Sequence, residues 1–164
     1  MTPVDLKGLE KTAKKLNAET EELNSVIDDL ESRLAKMGIG VSAWTGQILG
    51  EREWTEEREG QPWASSNPFY AAQSNSYKVY FKSGLELGYA KVGESWVIAV
   101  RKTRGEGSDP EDLKWSDEEP TALLSASRNI RVEAAQHLEK VVAAIQRRAE
   151  GFIQDISGAK ALLK

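Results

Sequence analysis

Apolar or small residues recur along the first segment at Leu6, Leu9, Ala13, Leu16, Thr20, Leu23, Ile27, Leu30, Leu34 and Met37, in steps that alternate three and four. That period of about 3.5 residues marks a coiled-coil seam rather than a broad core face. Leu9, Leu16, Leu23, Leu30 and Met37 fill one set of seam positions; Leu6, Ala13, Thr20, Ile27 and Leu34 fill the other. Thr2 suits a cap, Pro3 the first helical position, and Asp5 the positive end of the helix. Gly38 suits a left-handed stop after Met37. The pattern predicts a helix over 3–37, about 50 Å long.

Past Gly40 the period changes to two. Val41 to Leu49 is strand-prone. The charged stretch from Glu51 to Glu59 either continues a long hairpin or forms a solvated loop. Residues 60–76 are rich in Pro, Ser, Asn and Ala and read as a long loop. Tyr77–Lys82 alternates and precedes a predicted turn at Ser83-Gly84. Leu85–Val92 follows, with a second turn at Gly93-Glu94. Ser95–Arg101 is apolar on both faces, as a central strand should be. Short turns force antiparallel neighbours, so 41–101 reads as an antiparallel meander of three to five strands. Residues 105–120 are strongly acidic and read as a solvated loop.

A second stripe runs through Ala135, Leu138, Val142, Ile145, Ala149, Phe152, Ile156, Ala159 and Leu163, predicting a C-terminal helix over 126–163. The fold class is α+β, read as a single domain: a meander between two long helices that pair in a coiled-coil-like manner. A seven-residue strand is about 23 Å long. A helix of about 50 Å overhangs it, and the apolar overhang needs a cover.

Composition removes several function classes. The 164 residues carry 22 Lys and Arg against 26 Asp and Glu, a net charge of −4. An acidic chain has no global electrostatic reason to bind nucleic acid or anionic lipid. No cysteine is present, which excludes disulfides, thiol catalysis and thiolate metal sites. No signal peptide and no membrane-length apolar run are visible, so a cytoplasmic location is expected.

Catalytic, cofactor and metal sites are not expected. His137 is the only histidine, which rules out a histidine cluster, and it reads as a structural or surface residue. The glycines lack the spacing of a phosphate loop. Glu51, Glu53, Glu56, Glu57 and Glu59 could supply a carboxylate pair, although such clusters are mostly solvated.

Interaction residues are easier to name. Leu9, Leu16, Leu23, Ile27, Leu30 and Leu34 are the candidate oligomer or helix seam. Trp63, Phe69 and Tyr70 on the long loop, with Arg128 and Arg131 near the second helix start, are candidate partner or ligand contacts. The leading expectation is a non-enzymatic interaction or assembly module. It would self-associate through its helices, as a dimer first, or bind another protein. The alternative is a small-ligand-binding domain with its pocket between the sheet and the C-terminal helix.

Overall fold

Alternation of apolar and polar positions in the middle of the chain produces an antiparallel sheet in the computed structural model, which describes residues 6–59 and 76–162. Strand β1 is Ala43–Glu59, β2 Ser76–Val92, β3 Ser95–Gly107, β4 Lys114–Asp117 and β5 Thr121–Ala122. The order is β1-β2-β3-β4, with β5 also pairing on β3, and every pair is antiparallel. Helix α1 (Leu6–Lys36) precedes the sheet; α2 (Arg128–Ala135) and α3 (Leu138–Leu162) follow it. The α+β class and the meander are as the sequence indicates.

The helix start expected at residues 3–5, and the loop expected at 60–75, lie outside the described residues. Ser76, expected in that loop, opens β2. Gly38 takes φ +66° and its N–H bonds to the Ala35 carbonyl, which is the expected left-handed stop. Gly93, at φ +60°, makes the turn between β2 and β3.

Four expectations need correction. Ser83-Gly84 is not a turn, because β2 runs unbroken through it. Gly84 serves close approach instead: a Cβ there would overlap the Ile48 side chain on β1. Secondly, the acidic segment 105–120 is not all loop. β3 continues to Gly107, and Lys114–Asp117 returns as β4. Thirdly, the C-terminal helix is broken at Gln136 and His137, where the His137 N–H bonds the Ala134 carbonyl in a tightened turn. Nothing in the local composition breaks it; α2 lies on α1 and β1, whereas α3 follows β1 and β2, so the axis must change. Fourthly, the helices do not bury their stripes mainly in a shared seam. α1 docks on β3 and α2, and α3 on β1 and β2.

The charged stretch 51–59 resolves as strand and gives β1 its outer half. Two bulges bend β1, between Trp44 and Ile48 and between Leu49 and Arg52. Each holds a glycine at positive φ, Gly46 at 73° and Gly50 at 58°. Bulges leave backbone N–H groups without a ladder partner. Here carboxylates accept them. Gly46 N–H donates to Glu86 Oε1 at 3.0 Å, and Gly50 N–H to Glu133 at 3.1 Å.

One sheet face carries the core. Leu49, Leu87, Tyr89, Ile98 and Val100 meet Ile27 and Leu34 of α1, Ala134 of α2, and Val141, Ala144 and Ile145 of α3. On the opposite face Arg101 lies 4.3 Å from the Trp44 ring centroid and bridges Glu86 and Asp117 at 2.6 and 2.9 Å. The strands then run beyond the core residues as an arm. Trp54 and Phe81, directly paired across β1 and β2, stack there at 5.0 Å.

Candidate interaction surface

The apolar stripe of α1 has two fates. Toward its C-terminal end it is core: Ile27 and Leu34 are buried, with Leu23 and Leu30 packed beside them. From Leu6 to Glu19 every residue is exposed. Leu6 is 67% exposed, Leu9 62% and Leu16 49%, although they continue the same heptad. Of the seam residues named from sequence, Leu23, Ile27, Leu30 and Leu34 therefore face the chain's own core. Leu9 and Leu16 do not.

Helix α3 repeats this division in reverse. Val141, Ala144 and Ile145 are buried near its start, while Phe152, Ile153, Ile156 and Leu162 are exposed beyond the sheet. Its direction follows from two contacts. Lys140 Nζ donates to Gln47 Oε1, and a groove farther along α3 joins Ala144, Arg147 and Arg148 to residues 42–46. So α3 runs antiparallel to β1. α1 runs antiparallel to β3: Glu31 meets Ile98, Leu34 lies in the core beyond it, and Asn17 lies back at Arg128. Because β1 and β3 are parallel to each other, the two helices are parallel too. Their bare halves project from opposite ends of the sheet.

Arg128 and Arg131 brace the elements around α2. Arg128 donates to Asn17 Oδ1 at 2.9 Å and ties α2 to α1. Arg131 donates to the Leu124 and Ala126 carbonyls at 3.2 and 2.6 Å, bracing the 3-10 turn Leu123–Ser125 that leads into α2. The space between sheet and helices is filled by the core residues named above. The concavity between β1 and α3, about 630 Å³, lies at the rim and carries Arg147 and Arg148 instead. Trp63, Phe69 and Tyr70 lie outside the described residues.

The inner end of α1 also shields the sheet. At Ile98 strand β3 has β2 on one side; β5 and β4 pair with β3 only from Ala99 onward. Glu31 Oε1 accepts the Ile98 N–H at 3.0 Å. Burial pushes the Glu31 carboxyl above the usual carboxylate range, against the opposing effect of that hydrogen bond, and Asp28 raises it further. Burial, and secondarily Glu31, pushes the Tyr89 phenol up, and its hydroxyl is buried without a hydrogen-bond partner among the described residues. A carboxylate held inward against a free strand edge blocks pairing with another strand. Sequence periodicity hid this residue: Glu31 lies off the apolar seam, among the acids of the later part of the helix.

Among the described residues no group of histidine, aspartate and glutamate side chains is arranged to hold a metal ion. None of their helices is long and apolar enough to cross a membrane. Fold and surface together define a helix-flanked antiparallel meander with bare apolar helix ends. Comparison with protein-family models, with curated proteins and with solved structures finds no match for this chain.

Proposed function

We propose that this protein is a non-enzymatic interaction module that self-associates through the bare halves of α1 and α3, a dimer being the simplest assembly. One observation carries the reading. The stripe of α1 keeps its heptad spacing through Leu16, Leu9 and Leu6, beyond the point where the chain covers it. A helix half with no partner has no structural need of leucines at those positions, since an isolated short helix is marginal and gains nothing from an exposed seam. A second copy is the least demanding cover, because closed symmetric pairing needs no other gene product.

Light scattering on the purified chain is expected to give a mass of at least twice 18.1 kDa. The double substitution Leu9→Glu with Leu16→Glu is expected to return it to a monomer with unchanged circular dichroism. A monodisperse monomer for the parent chain at high micromolar concentration would sink the proposal.

A further inference from the structure

A second surface, on the arm, has a different chemistry. On the sheet face that carries the core, but past the core residues, lies a concavity of about 640 Å³. Val79 and Tyr77 of β2 line it together with Arg58 of β1, Arg104 and Glu106 of β3, and Lys114 of β4. Alternation puts these side chains on one face: Arg58 pairs with Tyr77, Glu106 with Lys114, and Arg104 is two residues from Glu106. The volume lies within the range of small-molecule clefts.

The charges in this concavity are not balanced in the way the rest of the sheet is. On β3, Arg101 is paired with Glu86 and Asp117, and Lys102 with Glu118. Arg104 has no carboxylate partner among the described residues. Its guanidinium, on an exposed side chain, instead lies over Phe81 at 5.0 Å and Trp54 at 5.8 Å. Lys114 sits directly across from Glu106 in register, yet Glu106 gives its carboxylate to Arg58 at 3.0 Å. Lys114 thus has no ion pair among the described residues either. Asp112 also lines the concavity, so its walls carry Arg58, Arg104 and Lys114 against Glu106 and Asp112, beside a half-buried tyrosine and a buried valine.

We infer that the arm concavity binds a small anionic molecule, with a carboxylate or phosphate held by Arg104 and Lys114 and an apolar, ring-sized body over Val79 and Tyr77. A guanidinium donates in a fork that matches such oxyanions, and an ammonium adds a point charge. Arg58 is already engaged by Glu106 and acts as the wall.

Isothermal titration of the full chain with phenyl phosphate, benzoate, inorganic phosphate and benzyl alcohol tests this. Phenyl phosphate or benzoate is expected to bind saturably, more weakly as salt rises, and more tightly than inorganic phosphate or benzyl alcohol. Lys114→Gln is expected to weaken that binding roughly tenfold, and Arg104→Met at least as much. Lys102→Gln, outside the concavity, is expected to leave it unchanged. Arg104→Met removes a stacked side chain and could disturb the arm; Lys114→Gln touches an exposed residue and keeps the test independent of folding. Absence of saturable binding of both aryl anions at millimolar concentration overturns the inference. So does equal binding of benzyl alcohol, or undiminished binding by the Lys114→Gln protein.

Discussion

Single residues in this fold are chosen for what their neighbours need. Gly88 lies under the Trp44 ring, and a Cβ there would overlap both the Trp44 side chain and the Ala43 carbonyl oxygen. Gly88→Ala is therefore expected to lower stability by about 1–3 kcal/mol, the usual cost of overpacking, as read by urea denaturation. A neutral result would mean that Trp44 swings away freely. Glu31 raises the opposite issue, because its ionised form is penalised by burial. Its folded-state pKa lies above its unfolded value, so its contribution is fully present below about pH 4.3 and is lost as pH rises through the folded value. Glu31→Gln keeps an oxygen to accept the Ile98 N–H and removes the charge. The variant is expected to be more stable than the parent at pH 7, with the advantage shrinking as pH falls toward 4. A less stable variant at pH 7 would show that the edge needs the ionised carboxylate.

At the scale of elements, α1 is one helix with two environments. Ile27 is fully buried, and Ile27→Ala is expected to cost about 2–5 kcal/mol. Leu9→Ala, at an exposed site, is expected to change the stability of the unassembled chain by less than about 0.5 kcal/mol. Amide exchange should divide the helix in the same way in any assembly-deficient variant, fast before Thr20 and slow near Ile27. Equal protection along the whole helix would contradict this division. The break between α2 and α3 belongs to the same scale. The residues around Gln136 and His137 favour helix, and the turn exists because two docking directions meet there.

Across the whole molecule, the bare halves of α1 and α3 point away from opposite ends of the sheet. That geometry constrains any assembly. Pairing α1 with α1, or α3 with α3, about a two-fold axis closes into a dimer; head-to-tail pairing of α1 of one copy with α3 of the next builds rings or open chains. The mass of the Leu9→Glu, Leu16→Glu variant separates the cases. A dimer that survives this variant and falls apart with Phe152→Glu would assign the contact to α3. Lys114→Gln and the Leu9→Glu, Leu16→Glu pair lie on different elements, so the anion site and the helix contacts are tested by separate variants.

Much of this architecture is local and therefore legible in the chain. The heptads of α1, the Gly38 stop, the Gly93 turn and the doubly apolar β3 each rest on side-chain period or on the backbone freedom of one glycine. Contacts distant in sequence decided the rest. Ser83-Gly84 looks like a turn, and only the Ile48 side chain across the ladder explains it as strand. Lys114–Asp117 reads as part of an acidic loop until pairing with β3 makes it a strand. Glu31 looks solvated until Ile98 presents its N–H. Which leucines of one unbroken stripe would meet the sheet, and which would stay bare, depended on where α1 parts from β3 and α2. Periodicity records that a helix has an apolar face; it carries no information on how far the rest of the chain extends to cover it.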